Sequence, residues 1–198
     1  MKIIGITGGV GSGKSKIIEY LRNNYDSYVI LVDFVVARLQ NKGEKNYEEI
    51  INLFGRKILN EDNTICKDKL RKICFENTEL LKKLQEISSQ NVIEEIEYEI
   101  EFVKEFDCYD YLFIENAILF ESGLSKLCDE IWCIYAEESI RIERIKNYRG
   151  YTNQMCETLI KAQLSEKEFR EKCDIIINNN DNFDKTKQEI DKYLQGGK

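Results

Sequence analysis

Eight residues near the amino terminus, GGVGSGKS from Gly8 to Ser15, carry the densest chemistry in the chain. They fill the spacing glycine, any four residues, glycine, lysine, serine, in which each residue type has a task at a polyphosphate. Gly8, Gly9, Gly11 and Gly13 have no β-carbon, so the backbone is expected to take up positive φ and turn successive N–H groups toward phosphate oxygens. Lys14 is a compact ammonium on a flexible stem, with the reach of the β- and γ-phosphates. The Ser15 hydroxyl is a ligand for a magnesium ion that bridges them. A helix opening at this point adds the positive end of its dipole. The candidate triphosphate-binding residues are therefore Gly9, Val10, Gly11, Ser12, Gly13, Lys14, Ser15 and Lys16. No three glycines stand at i, i+2 and i+5, so spacing excludes the dinucleotide-binding fingerprint.

The elements that must position this loop can be read on either side of it. Lys2 to Thr7, KIIGIT, is a short apolar run suited to a buried strand, and Ile17, Ile18 and Leu21 share one helix face. Four further runs read as buried strands: Tyr28 to Val32, Tyr111 to Glu115, Ile131 to Tyr135 and Ile175 to Ile177. Helical segments separate them, which predicts an α/β, three-layer fold around a parallel five-stranded sheet. Between the second and third strands the pattern is almost wholly helical, at Tyr47 to Ile58, Lys67 to Phe75 and Glu79 to Phe106. So long a block exceeds one crossover helix and predicts a helical subdomain inserted at 40–107 of a single domain spanning 1–198. Its last helix places Val92, Ile96, Ile100 and Val103 on one face, and the glutamates around them read as a solvated surface. Beyond the fourth strand, Glu137 to Ala162 is helical in period, and Ser165 with Glu168 forms a capping box. Arg-bearing helices at 137–172 suit a lid over triphosphate, and a plain packing hairpin has the same pattern.

Composition narrows the chemistry further. The 198 residues are 42% hydrophobic and 33% charged, as in an ordinary soluble globule, and no run approaches the roughly 18 apolar residues of a membrane span. The chain reads as cytoplasmic and as a monomer. With no histidine and no CxxC among seven cysteines, a zinc site lacks its usual ligands, and any proton abstraction falls to Asp, Glu or Lys. The net charge of −7 argues against nucleic acid as a partner, so an anionic substrate must meet a local positive cluster. A GTPase needs DxxG and NKxD motifs; neither occurs, and Asn41-Lys42-Gly43-Glu44 is the nearest approach. A small-molecule kinase is the stronger branch.

The chain resembles the dephospho-coenzyme A kinase family over about residues 2 to 180. The opening IGITGGVGSGKS is similar to that family's. VDFVVAR at Val32 to Arg38 resembles the segment with its catalytic aspartate, and KDKLRKICF at Lys67 to Phe75 its basic substrate-domain stretch. ILFESGL at Ile118 to Leu124 is similar to its third-strand signature, and Arg144, Thr152, Ala162-Gln163, Arg170, Asp174 and Asn179 keep its lid spacing. The resemblance implies in-line transfer from ATP, with magnesium, to the ribose 3′-hydroxyl of dephospho-coenzyme A, the last step of coenzyme A synthesis. It makes Asp33 and Lys14 catalytic, and Arg144 and Arg149 ATP-binding. Arg38, Lys67, Arg71 and Gln163 become substrate-binding, and Ser15 and Glu115 metal-binding. A strand-end carboxylate without function is the other reading of Glu115.

Three departures from the family pattern stand out. Asp33 stands alone where two aspartates are usual, and its spacing to Ala37-Arg38 is off by one. Tyr148 occupies the second lid-arginine position, with Arg149 beside it. Ala117 and Ser89-Gln90 replace a proline and a His-Pro pair. The phosphate loop, helical insert and Arg-bearing helices also suit another nucleoside or nucleotide kinase, and the lone Asp33 with the displaced lid arginine suits a homologue that binds ATP and coenzyme A without transfer.

Overall fold

The computed structural model describes residues 1–195. The chain divides into two compact units, Met1–Ile30 with Lys104–Lys198, and Leu31–Val103. In the first, strands β1 (Lys2–Thr7), β2 (Ser27–Leu31), β3 (Tyr111–Glu115), β4 (Glu130–Tyr135) and β5 (Ile175–Asn178) form one sheet in the order β2-β3-β1-β4-β5. Helices α1 (Lys14–Asn24), α6 (Glu138–Arg149), α7 (Asn153–Lys161), α8 (Glu166–Lys172) and α9 (Phe183–Gln195) belong to this unit. The second contains α2 (Val32–Leu39), α3 (Lys45–Phe54), α4 (Lys67–Glu76) and most of α5 (Thr78–Phe106).

The apolar runs form the strands because the sheet interior takes them whole. Ile4, Ile6, Leu112, Phe113, Ile114 and Trp132 are fully buried, the pattern of a parallel sheet covered on both faces. β1 pairs in parallel with β3 on one side and β4 on the other, so Ile6 lies opposite Glu115 and Trp132. Strand order reverses at β1. In an open parallel sheet such a switch point leaves a crevice at the carboxyl ends of the strands, and the residues after Thr7 emerge into it.

Aspartates extend the ladder at the other end. The backbone N–H of Ile3 donates to Asp129 Oδ2 at 2.8 Å, and that of Ile131 to Asp174 Oδ2 at 2.7 Å. Each carboxylate thus satisfies a strand amide that would otherwise lack a partner.

The helical unit has a core of its own. Ile50, Phe54, Ile58 and Cys74 are buried together, with Leu70, Leu80 and Leu84 packed around them. Buried Asn91 donates to Asn46 Oδ1 at 2.8 Å, and on α5 the predicted face of Val92, Ile96, Ile100 and Val103 is buried. The glutamates of α5 are not all idle: Glu94 pairs with Lys45, and Glu95 with Arg38 at 2.6 Å.

Three local expectations are corrected. Val32 does not end a strand; it opens α2, which puts Asp33 in a first helical turn, where a carboxylate opposes the positive dipole end. The helix expected over Tyr47 to Ile58 stops at Phe54, because Gly55 takes φ +75° and a short 3-10 turn follows. The helix expected from Glu137 to Ala162 breaks at Gly150, φ +66°, and restarts where the Thr152 hydroxyl caps α7. The Ser165–Glu168 capping box is present as read.

Gly5 sits in β1 with no room for a side chain. A Cβ there would lie 2.7 Å from Leu119 Cδ2 and 2.8 Å from Cys128 Sγ, in packing that also pushes the Cys128 thiol up to about 12. Gly5→Ala is expected to lower the unfolding free energy by about 1–3 kcal/mol through overpacking. Urea denaturation checks this: the midpoint should fall with the slope unchanged, and an unmoved midpoint contradicts the packing described.

Candidate active site at the phosphate loop

Gly8 to Ser15 joins β1 to α1, and its geometry follows from its glycines. Gly13 is left-handed, at φ +96° and ψ +22°, immediately before α1, a conformation that L side chains avoid. No side chain caps α1, and no acidic residue stands in its first turn, so its leading amides and positive dipole end are left to a ligand. Beside them the buried hydroxyls of Ser12 and Thr7 have no hydrogen-bond partner among the described residues. Buried polar atoms of that kind are uncommon and mark a place where a ligand completes the set.

Gly9 needs its missing side chain for a different reason from the one its sequence position suggests. It does not take positive φ, unlike Gly8, Gly11 and Gly13. Instead a Cβ on Gly9 would lie 2.3 Å from both Cζ and Nη2 of Arg141, so the glycine makes room for a guanidinium laid against the backbone.

The loop carbonyls are held by donors. Lys14 Nζ donates to Gly8 O at 2.8 Å, and the amide of Ser12 to Gly9 O at 3.1 Å. Arg141 Nε donates to Val10 O at 2.9 Å. Arg144 Nη1 reaches Gly11 O and Ser12 O at 3.4 and 3.2 Å, while its Nη2 donates to Asn179 O at 2.8 Å. The buried Asn179 amide also donates to Ser12 O, at 2.7 Å. On the other side of the Val10 peptide, its N–H donates to Gln163 Oε1 at 2.7 Å.

A cavity of about 290 Å³ opens beside Gly9, lined by Arg141, Gln163, Arg170, Cys133 and Phe169. Its electrostatics are set by cations. Burial pushes the Arg141 guanidinium below its ordinary range, against the opposing effect of Glu138. A hydrogen bond with Cys173 lowers the Cys133 thiol, with help from Lys14, Arg170 and Arg141, and the Cys173 thiol is raised in turn. Arg170 pairs with Glu166 at 2.9 Å and lies over the Tyr135 ring at 4.9 Å.

The first unit thus brings Lys14, Ser15, Arg144, Gln163 and Glu115 to the carboxyl ends of β1 and its neighbours. Ser15 is exposed in the first turn of α1, and Glu115 ends β3 opposite Ile6. Lys16 points elsewhere, its Nζ 4.2 Å from the Phe183 ring centroid. Arg149 is exposed in the last turn of α6, 6.0 Å from the Tyr151 ring. In the helical unit Asp33 is exposed on α2, Arg38 is paired with Glu95, and Arg71 with Asp68 at 3.1 Å. Lys67 opens α4 one turn before Arg71. Arg141 is a loop-bonding residue that the sequence reading passes over. Its signal was present: it stands three residues before Arg144, on the same side of α6.

A family model described as dephospho-CoA kinase matches residues 2–185. The chain is 33% identical over 197 residues to the dephospho-CoA kinase of Fusobacterium nucleatum subsp. nucleatum, covering 98% of this chain and 97% of that one. Its fold is similar to that of a Thermus thermophilus crystal structure, at a TM-score of 0.81 and 24% identity, over 98% and 97% of the two chains. It is also similar to the dephospho-CoA kinase from Campylobacter jejuni, at 0.69 and 24%, over 98% and 96%. The family match takes in the phosphate loop, the helical unit and the arginine-bearing helices together, and on that extent this chain belongs to the dephospho-CoA kinase family.

Proposed function

We propose that this chain transfers the γ-phosphoryl group of ATP to the ribose 3′-hydroxyl of dephospho-CoA, releasing CoA and ADP. The observation that carries the reading is the uncapped start of α1 behind a loop whose carbonyls are already bonded, with Lys14 at its edge. Such a cradle suits a polyphosphate and no neutral ligand. An alcohol acceptor needs only to be aimed at the terminal phosphorus, because phosphoryl transfer rests on positioning and charge stabilisation.

Within that reading Lys14 leaves the carbonyl of Gly8 and neutralises charge developing on the β- and γ-phosphates. Asp33, in the first turn of α2, orients the 3′-hydroxyl and takes its proton as the P–O bond forms. Arg38, Lys67 and Arg71 meet the anionic groups of the acceptor, and Gln163 exchanges its contact with Val10 for one to a ligand. Ser15, in the first turn of α1, and Glu115, at the end of β3, are hard oxygen donors and fit magnesium, which keeps much of its shell as water and phosphate oxygen. In keeping with this, no cluster of three or more His, Cys, Asp or Glu that would cage a metal occurs among the described residues. A magnesium ion held by Ser15 and Glu115 would supply neutralisation of polyphosphate charge. No helix among the described residues is long and apolar enough to cross a membrane. We place the enzyme in the cytoplasm as a monomer with no nucleic-acid partner, in line with its net charge of −7.

Coupled measurement of ADP release tests the assignment. With ATP, magnesium and dephospho-CoA the parent should turn over, and a panel of nucleosides and nucleoside monophosphates should serve less well; a better acceptor in that panel overturns the substrate. Lys14→Ala should lower kcat by about 10²- to 10³-fold, the loss typical of one charge-stabilising donor. Asp33→Asn should lower kcat by about 10²- to 10⁴-fold, with little change in the KM for ATP. An Asp33→Asn enzyme as fast as the parent removes Asp33 from the chemistry.

A further inference from the structure

We propose that Arg141 is a catalytic residue of this chain, whose two terminal guanidinium nitrogens take up the terminal phosphate of ATP as it is transferred. The inference rests on the triphosphate reading of the loop and deepens it by assigning the arginine.

Four arginines lie between Glu137 and Lys172, and three of them are otherwise engaged. Arg144 has its guanidinium bonded to the carbonyls of Gly11, Ser12 and Asn179. Arg149 is exposed on the far turn of α6, over Tyr151. Arg170 is exposed and pairs with Glu166. Arg141 is half-buried like Arg144, but it is anchored to the loop by the single bond from Nε to Val10 O at 2.9 Å, which leaves its terminal nitrogens unbonded. Among the described residues, Nη1 and Nη2 make no hydrogen bond and the guanidinium makes no ion pair, Glu138 and Glu166 acting on it only from farther away. Those two nitrogens rest on Gly9, and Arg141 lines the cavity beside it.

A partly desolvated cation with no carboxylate bonded to it is unfavourable, and an anion entering the cavity relieves it. The free fork has the shape that fits two oxygens of one phosphate at once. Because Nε is already fixed to the loop backbone, the fork needs no reordering when charge builds up on the phosphate. Preorganised charge of that kind stabilises a transition state more than a ground state. In the step itself the bond from the γ-phosphorus to the β-bridging oxygen breaks, and its electron pair leaves with ADP. The bond from the 3′-oxygen forms, and the hydroxyl proton passes to Asp33. Arg141 stays protonated throughout, stabilising the charge without exchanging atoms.

Arg141→Met and Arg141→Lys in the full chain test the assignment, by steady-state ADP release and by calorimetric titration of ATP and of ADP, each with magnesium. Arg141→Met should lower kcat by about 10²- to 10³-fold while the KM for dephospho-CoA and the urea midpoint hold. It should also lose the parent's preference for ATP over ADP. Arg141→Lys should recover part of kcat, since a point charge cannot form the fork. A folded Arg141→Met enzyme that keeps the parental kcat and the parental ATP-to-ADP preference overturns the proposal. Should the Met variant fail to fold, the Lys variant decides: a kcat equal to the parent's overturns it, and a reduced one supports it. If the parent does not phosphorylate dephospho-CoA, the acceptor reading fails by itself, and the ATP and ADP titrations still decide the role of Arg141.

Discussion

Every peptide in the phosphate loop carries an oxygen that repels anions beside the N–H that attracts them, so the loop works only if its carbonyls are occupied. From Gly8 to Ser12 each one is. Lys14, the Ser12 amide, Arg141 and Arg144 with Asn179 take them in turn. Three of those donors are cations, so the carbonyl dipoles are satisfied and the local potential is made positive by the same bonds. The cost falls on the protein: α6 must pack close enough to deliver Arg141 and Arg144. It can do so because Gly9 and Gly11 have no side chains in the way, a Cβ on Gly11 falling 2.7 Å from Arg141 O.

This arrangement ties the loop to distant parts of the chain. Asn179 follows β5, and Thr186 of α9 holds it from behind by donating to Asn179 Oδ1 at 3.2 Å. Arg141 from α6 and Gln163 from the segment after α7 hold the carbonyl and the N–H of Val10 respectively. A ligand oxygen that competes for the Val10 N–H displaces Gln163, whereas one that reaches Arg141 Nη1 or Nη2 leaves the Nε bond intact. The loop is therefore held from the α6–α7 side by one contact that a ligand can replace and one that it leaves in place.

How much of this could be read from the residues depended on range. The loop from Gly8 to Ser15 was legible because its chemistry is written in consecutive residues, and the strands because a doubly covered sheet demands unbroken apolar runs. The Ser165–Glu168 box was legible for the same local reason. Val32 was misread because β-branched residues suit a strand, and only the turn of the chain into α2 overrides that preference. The breaks at Gly55 and Gly150 needed knowledge of positive φ, since an isolated glycine inside a helical period is ambiguous. Least legible were the long-range partners. Nothing near Asp129 or Asp174 says that each bonds a strand amide, and choosing among Arg141, Arg144 and Arg149 requires the phase of α6 against the loop.

The acidic composition of the chain and the cationic loop are two sides of one solution. With a net charge of −7, the bulk surface does not attract a triphosphate, so discrimination has to come from a small volume where charge is concentrated and water is thinned. Arg141 and Lys14 supply that charge at the loop, each bonded to one of its carbonyls. A ligand that binds the folded chain and not the unfolded one stabilises it, so an anion taken up there would show both as affinity and as stability of the folded chain. A guanidinium held partly out of water is screened less by salt than surface charge is, and the loop keeps its grip at ionic strengths that would erase long-range steering.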